Sequence, residues 1–345
     1  MRRYFRTIIL SKTPLQSVYR YKNRFQIYPI ENDAISSFYA KHFPLYLEYS
    51  VSASKDISDE ELSIITLNEE KEIVRLLSMF SSFHFFFYTG DKDRWGIMIP
   101  AIPFEQLSKE QQNHFRNQIS SWTASVVQTK YHKHEVEIES LTETKYPRMA
   151  FANNAEDYFR YYIDDPVIKE IASRTGYNFK LIFPNTISNC FDSFYLLSGK
   201  CRQIILSSIY LAYDGLDVKT SHKALGFLAI LSAIEGLTKL FKDSQPQMNK
   251  KRKIHYPMKK ALFIKLLSNF YSNHAEDILQ YEELYKIRCD VTHENILFTL
   301  DYGLILDEEN MSPSNDWLKT NNALILFRTI LTKLLLYSEK DDWIE

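Results

Sequence analysis

The sequence predicts an α+β protein, with a strand-rich mixed domain over residues 1–150 and an all-α bundle over residues 151–345. The first domain is predicted from short runs of aromatic and β-branched residues that are separated by polar turns. The second is predicted from apolar residues that recur at helical spacing, with a core at about residues 184–340. A chain of 345 residues, 45% hydrophobic and 25% charged, is long enough for two domains and has a globular composition.

Within the N-terminal domain, the predicted strands are short and alternate with helices. The helix predicted for residues 68–80 carries Glu69, Glu70 and Glu72 in its first turn, where the helix dipole favours negative charge. The other predicted elements are strands at residues 4–10, 25–30, 46–51 and 132–138, a hairpin at 84–88 and 95–99, a helix at 109–122, and a linker at 143–154.

The C-terminal domain is predicted to be a bundle of four or five helices. Its central helix is predicted for residues 219–241, because residues 224–237 are almost wholly apolar, as in a helix that other helices surround. An acidic, polar stretch at residues 299–320 is predicted to be an insertion before the last helix. The remaining predicted helices are 157–163, 166–173, one beginning at Pro184 with apolar spacing through Ile209, 257 or 258 to 271, 276 to 287 and beyond, and 322–337.

Composition and motifs exclude several functional classes. The chain has only 8 glycines and contains no GxxxxGK[ST], GxGxxG or GxSxG, so P-loop, dinucleotide-binding and hydrolase-elbow sites are not supported. The net charge of −1 excludes an extended basic nucleic-acid arm, and the 3 cysteines form no CxxC pair. The most apolar segment, residues 224–237, contains Glu235 and is too short to span a bilayer. We therefore predict a cytoplasmic protein.

One segment points to a specific chemistry. Residues 281–296 read YEELYKIRCDVTHENI, in which four residues separate Arg288 from His293. This spacing resembles the R-x4–6-H signature of HEPN domains, small helical bundles that include many metal-independent ribonucleases. Two further segments are similar to those of Apea-like and related HEPN groups: the aromatic-x-apolar-Arg run that ends at Arg288, and the apolar-Glu-x-apolar run around Glu235. The chain departs from that pattern at Cys289, often a polar position, and at Glu294, often glycine.

The resemblance covers about residues 184–340 and implies an endoribonuclease that uses neither a metal nor a cofactor. His293 would be the general acid/base and Arg288 the clamp that stabilises phosphate charge while an RNA 2′-hydroxyl attacks its own phosphate. Two bundles would pair as a homodimer, each contributing an Arg and a His to one groove. Weaker candidates for supporting roles are Asp290, Thr292, Asn295 and Glu235.

The implied biology is prokaryotic defence, with the protein acting as an abortive-infection or toxin effector that arrests growth through RNA cleavage. The N-terminal domain would then sense a trigger or restrain the effector. The alternative is a non-catalytic helical module that dimerises or regulates a partner. A third class is a regulator or antitoxin of another nuclease.

The spacing also poses a geometric problem. At 100° per residue, positions i and i+5 lie about 140° apart around a regular helix, so Arg288 and His293 would not share a face. Either the long arginine side chain reaches round the helix, or the helix breaks or tightens near Thr292.

A basic loop provides a second candidate interface. Residues 239–260 contain eight basic residues and a single acid, Asp243. A basic segment with an aromatic side chain is suited to following an RNA backbone while stacking a base, although such runs are usually only solvated. The candidate RNA-binding residues in this loop are Lys250, Lys251, Arg252, Lys253 and Tyr256.

Two other patterns permit alternative interpretations. His132 and His134 alternate on a predicted strand and could share a zinc ion, but no third ligand is evident. The aromatic run at residues 83–88 could stack bases, although a buried hairpin strand is the favoured interpretation. Cys201 and Cys289 are predicted to be packing residues.

Overall fold

The computed structural model confirms the α+β class, with strands mainly in the N-terminal half and helices in the C-terminal half. The chain divides into two compact units. The sheet unit comprises the described parts of Met1–Ser78, Ser82–Asn154 and Tyr162–Asn185, and the helical unit those of Met79–Ser81, Ala155–Tyr161 and Thr186–Glu345. The structure describes residues 1–30, 43–87, 108–110, 112, 136–153, 158–162, 181–219, 221–244, 247–248, 254–255, 259–271, 275–293, 313–337 and 343–344.

An antiparallel sheet forms the sheet unit, and the predicted strands at 4–10, 25–30 and 46–51 are confirmed within it. Its order is β2-β3-β4-β1-β5, and β6 also pairs with β1. The long strands β1 and β4 pair along their full length, so that Phe5 and Ile9 share a buried face with Thr7. The strands are β1 (Arg2–Ser11), β2 (Tyr19–Tyr21), β3 (Phe25–Pro29), β4 (Phe43–Ser52), β5 (Phe85–Phe86) and β6 (Val136–Ile138).

The first long helix begins earlier than predicted. Helix α1 spans Asp59–Phe80, so it begins nine residues before the predicted start at residue 68. Its start is a capping box, in which the Glu61 amide donates to Ser58 Oγ (3.2 Å) and the Ser58 amide donates to the Glu61 carboxylate (3.3 Å). The prediction that Glu69, Glu70 and Glu72 occupy the first turn is therefore wrong. Arg24 donates to the Glu69 carboxylate at 2.8 Å, and Tyr49 donates to the buried Glu70 at 3.3 Å.

The predicted linker at residues 143–154 is wrong as well, because its described part pairs within the sheet unit. The Val18 amide donates to the Pro147 carbonyl and the Met149 amide to the Val18 carbonyl, each at 2.9 Å. Strand β7 (Phe151–Ala152) then pairs in parallel with β8 (Phe183–Pro184). Several predicted elements lie outside the described residues: the hairpin partner at 95–99, residues 113–122 of the predicted helix, residues 132–135, and the helix at 166–173.

A buried carboxylate ties the sheet together. The Glu48 side chain on β4 is fully inaccessible to solvent, and it accepts hydrogen bonds from Arg6 (2.8 Å), Tyr28 (2.7 Å) and Gln26 (2.7 Å). Thr142 donates to it from both its amide (2.8 Å) and its hydroxyl (2.7 Å). Burial alone would raise the pKa of Glu48, but the donors from Thr142, Tyr28 and Arg6 outweigh it and hold that pKa below its ordinary value.

Substituting Glu48 with Gln should lower the free energy of unfolding of the sheet unit by about 3 kcal/mol at pH 7, because it removes a fully buried charge that pairs with the half-buried Arg6. This difference in the free energy of unfolding between the wild type and Glu48→Gln should become smaller as the pH falls. A glutamate whose folded pKa is depressed stabilises fully above its unfolded pKa of about 4.3 and loses that contribution as the pH drops through the lower folded value.

Amide hydrogen exchange in β1 and β4 between pH 7 and pH 3 measures this effect within the sheet unit alone. The control is Glu137→Gln, which breaks the more exposed ion pair with Arg3 and should cost less than about 1 kcal/mol. Equal costs for the two variants, or a Glu48→Gln loss that is independent of pH, would contradict the assignment.

The helical unit contains seven helices within the described residues, and most of the predicted ones are present. None of the described helices is both long enough and apolar enough to cross a membrane. Two short strands, β9 (Gln247–Met248) and β10 (Ile254–His255), pair within the basic loop. The helices are α2 (Tyr158–Tyr161), α3 (Ile187–Tyr195), α4 (Gly199–Val218), α5 (Lys223–Leu237), α6 (Lys259–Tyr271), α7 (Ala275–His293) and α8 (Pro313–Tyr337).

Helix α5 is the centre of this unit, as its apolar sequence predicted. It packs against α4, α6, α7 and α8, and its buried side chains include Phe227, Ile230 and Ile234. Two other predictions are wrong. The helix predicted from Pro184 through Ile209 is interrupted by Ser198, whose extended backbone (φ −62°, ψ 158°) precedes α4. The predicted polar insertion at 299–320 is helical from Pro313 onward.

Two glycines allow α4 and α5 to approach each other closely. A Cβ added at Gly226 would lie 2.8 Å from the Gly215 carbonyl oxygen and 2.7 Å from Lys219 Cβ. A Cβ added at Gly215 would lie 2.8 Å from the Gly226 carbonyl oxygen. Because backbone atoms cannot move aside as side chains do, this crossing requires the absence of a side chain at both positions.

Gly226→Ala should therefore destabilise the helical unit by about 2 kcal/mol, through overpacking against the α4 backbone. Gly199→Ala is the matched control, because nothing lies within 4 Å of its added Cβ. Alanine's better helix propensity should leave that variant as stable as the wild type, or more stable by about 0.5 kcal/mol. Thermal unfolding followed by circular dichroism measures both; an unchanged melting temperature for Gly226→Ala would argue against the close crossing.

Candidate functional site

The central helix and α7 bring together Glu235 and Arg288, which belong to two of the segments that carry the sequence resemblance. Arg288 Nη2 donates to Glu235 Oε2 at 3.3 Å, and the two side chains are only 16% and 13% exposed. On α7, Leu284, Arg288 and Val291 follow the i, i+4, i+7 spacing of one helix face, and Leu284 and Val291 are buried. Arg288 therefore points into the bundle, where Glu235 provides a counter-ion.

Tyr285 completes the surroundings of this arginine. The Arg288 guanidinium carbon lies 5.9 Å from the centre of the Tyr285 ring, which suits a cation–π contact. The same ring packs against Phe263 of α6, with ring centres 5.0 Å apart. Burial and the neighbouring Glu235 charge both raise the pKa of the Tyr285 phenol. Tyr285 is the aromatic residue of the aromatic-x-apolar-Arg run that ends at Arg288. Its i, i+3 spacing to Arg288 was the sequence signal for a direct contact.

The ion pair is incomplete. Glu235 Oε1 and Arg288 Nε are both buried and have no hydrogen-bond partner among the described residues. These are the two atoms that a second hydrogen bond would join, since Nε and Nη2 form one edge of the guanidinium. Arg3 and Glu137 make that double contact in the sheet unit, at 2.7 and 2.6 Å.

The other predicted catalytic residue, His293, is exposed at the last position of α7. The helix is continuous from Ala275 to His293, so of the two alternatives, the one with a break or tightening near Thr292 is wrong. Thr292 donates from its hydroxyl to the Arg288 carbonyl at 2.7 Å, a local bond within the helix. On a continuous helix the two residues lie about 140° apart. One chain therefore directs Arg288 towards α5 and leaves His293 at a solvent-exposed helix end.

The weaker candidates are only partly described. Asp290 is half-buried and Thr292 is exposed, whereas Asn295 lies outside the described residues. In the basic loop, Asp243 pairs with Lys265 of α6. The predicted RNA-binding residues Lys250, Lys251, Arg252, Lys253 and Tyr256 also lie outside the described ranges.

The remaining alternatives have different outcomes. Phe83 and Phe85 are buried, which confirms the buried strand and argues against a surface stacking platform. Cys201 is buried and Cys289 is half-buried. His132 and His134 lie outside the described residues, and the described part of the chain holds no group of three or more His, Cys, Asp or Glu side chains suited to a metal.

No protein-family model, no curated protein and no solved structure gives a significant match to this chain. Its function is therefore inferred from the residues of the site itself.

Proposed function

We propose that this protein is a metal-independent endoribonuclease of HEPN type, with Arg288 as the phosphate clamp and His293 as the general acid/base. The observation that carries the proposal is the contact between Glu235 and Arg288. These residues belong to the two sequence segments that resemble the HEPN pattern, 53 positions apart, and they meet across α5 and α7. Residues from two separate motif segments therefore meet at one place in the bundle, and this meeting supports the proposal.

The chemistry requires only these residue types. The 2′-oxygen of a ribose attacks the adjacent phosphorus, the bond to the 5′-oxygen breaks, and the products are a 2′,3′-cyclic phosphate and a 5′-hydroxyl. A neutral imidazole accepts the 2′-hydroxyl proton, and an imidazolium donates a proton to the leaving oxygen. The guanidinium stabilises the negative charge that develops on the phosphate oxygens. No step needs a metal or a cofactor.

The geometry of α7 favours a homodimer as the active form. Because Arg288 and His293 lie about 140° apart on one helix, a single bundle does not direct both side chains into one groove. A second copy would supply the missing histidine, so that Arg288 of one chain and His293 of the other would meet in one groove. The proposed setting is cytoplasmic antiviral defence, as an abortive-infection or toxin effector, with the sheet unit sensing a trigger and the basic loop holding RNA.

A non-catalytic role is the second candidate, and one observation favours it. Arg288 is paired with Glu235 and mostly covered, rather than presented to solvent. A helical module that only dimerises, or that regulates a partner, would use the same ion pair to hold α5 against α7. Under this alternative His293 would be an ordinary exposed residue and its removal would have no consequence for RNA.

Cleavage of total cellular RNA in excess EDTA tests the proposal. We expect His293→Ala to reduce the rate at least about 100-fold, because proton transfer is lost. Arg288→Ala should reduce it by a similar factor, because the charge on the transition state is no longer stabilised. The matched control is His222→Ala, which removes an exposed histidine at the start of α5 and should cleave like the wild type.

Equal cleavage by the wild type and His293→Ala would remove His293 from the chemistry and refute the proposal. A protein that binds RNA without cleaving it, even when mixed with extract from phage-infected cells, would support the non-catalytic module. Cleavage that EDTA abolishes would assign the activity to a metal enzyme.

A further inference from the structure

We infer that Glu235 is an exchangeable counter-ion, which an RNA phosphate displaces from Arg288 when substrate binds. This inference rests on the proposed function, because it assumes that Arg288 meets phosphate. It adds a regulatory role for Glu235: the carboxylate competes with RNA for the arginine and lowers the affinity of the site. Tyr285 is the fixed part of the arrangement, since its ring is anchored on Phe263 and lies beside the guanidinium.

The first support is the incompleteness of the ion pair. A buried arginine and carboxylate are stabilising only when their geometry is good and their remaining polar atoms are satisfied. Here one contact of 3.3 Å joins them, while Arg288 Nε and Glu235 Oε1 stay buried without partners in the described structure. The pair therefore forgoes the hydrogen bond that would lock it, and breaking it costs less than breaking a complete double contact.

The second support is an internal comparison. Arg3 and Glu137 form the double contact on the surface of the sheet unit, with both distances below 2.8 Å. Arg6 also reaches Glu48 through Nε (2.8 Å) and Nη2 (2.6 Å). Arg3 and Arg6 thus approach their carboxylates closely through both nitrogens, and Arg24 reaches Glu69 through Nη2 at 2.8 Å. The contact between Arg288 and Glu235 is longer than each of these, at 3.3 Å.

The third support is the chemistry of the unpaired edge. Nε and Nη2 of a guanidinium match two oxygens of a phosphate as well as two oxygens of a carboxylate. A phosphodiester can therefore take the place of Glu235 on that edge and satisfy Nε, which has no partner among the described residues. Both anions cannot occupy one edge together, because like charges at that separation repel each other. Binding of RNA is consequently coupled to withdrawal of Glu235 from Arg288.

The test measures RNA binding in a His293→Ala background, which prevents cleavage during the measurement. The probe is a fluorescently labelled, single-stranded RNA of mixed sequence, and anisotropy gives its Kd at several salt concentrations. Glu235→Gln keeps a hydrogen-bond acceptor near Arg288 but removes the competing charge. We expect its Kd to fall on the order of tenfold, most strongly at low salt, since a charge at this separation acts directly on the phosphate.

Two matched variants separate this effect from a general change of charge. Glu283→Gln makes the same charge change at an exposed position of α7 and should leave Kd within about twofold. Arg288→Ala should weaken binding, and adding Glu235→Gln to it should give no further change, because the competitor then has no target. Glu235→Asp, which keeps the charge but shortens its reach, should give an intermediate Kd and provides a second variant should the Gln protein fold poorly.

Weaker or unchanged binding by Glu235→Gln would overturn the inference and make Glu235 a positioning or structural residue. Tighter binding that persists without Arg288 would also overturn it, because the gain would then not pass through the ion pair. These results are distinguishable from failure of the proposed function. Equal cleavage by the wild type and His293→Ala refutes the nuclease, whereas RNA binding that is insensitive to Glu235 refutes only the exchange.

Discussion

The helical unit depends on burying α5, an almost wholly apolar helix that carries one carboxylate. Four other helices cover its apolar residues, and their removal from water stabilises the unit. Glu235, near the end of α5, is mostly buried in this packing, where an uncompensated charge would be destabilising. Arg288 compensates it from α7. The contact between Glu235 and Arg288 is therefore also a consequence of how the bundle covers its central helix.

The sheet unit also buries a carboxylate, but that carboxylate is compensated by a complete set of hydrogen bonds. It belongs to Glu48, whose two oxygens receive donors from the two strands β1 and β3 and from Thr142. Such a site is closed, because no acceptor capacity is left for a ligand. Glu235 keeps one oxygen free, and Arg288 keeps one donor free, among the residues described. Glu48, with hydrogen-bond donors on both oxygens, is therefore part of a structural network, whereas Glu235, with one oxygen lacking a donor among the described residues, belongs to a candidate site.

Much of the fold follows from local sequence patterns. Alternating aromatic and β-branched residues located β1, β3 and β4, and the continuous apolar run located α5 as the central helix. The misjudged positions depended on contacts that sequence patterns do not show. The capping box at Ser58 starts α1, and Ile64 and Ile65 in the following turns are exposed, so the apolar residues there do not mark a buried helix face. Residues 147–149 join the sheet unit through backbone hydrogen bonds to Val18. The helix break at Ser198 interrupts an otherwise regular apolar repeat.

The candidate site was predictable to a similar extent. Spacing and family resemblance named Glu235, Arg288 and His293, and the first two meet in the folded chain. The sequence alone did not show how two side chains five positions apart on a helix could reach one site. The helix is continuous to His293, so within a single chain Arg288 and His293 do not share a face. Because the two residues lie about 140° apart around α7, we propose that the chemistry uses a second copy. The unpaired atoms of the ion pair could not be foreseen, since they depend on side-chain geometry.

The central claim is that cleavage proceeds through attack by the substrate's own 2′-hydroxyl, and the most direct measurement replaces that group. The preferred cleavage position of an RNA substrate would be mapped first, and a single 2′-deoxy nucleotide would then be placed on the 5′ side of that bond. If the 2′-hydroxyl attacks, the substituted bond resists cleavage, while unmodified substrate gives 2′,3′-cyclic phosphate and 5′-hydroxyl ends. Cleavage of the 2′-deoxy bond at an undiminished rate, or products with 5′-phosphate ends, would contradict it.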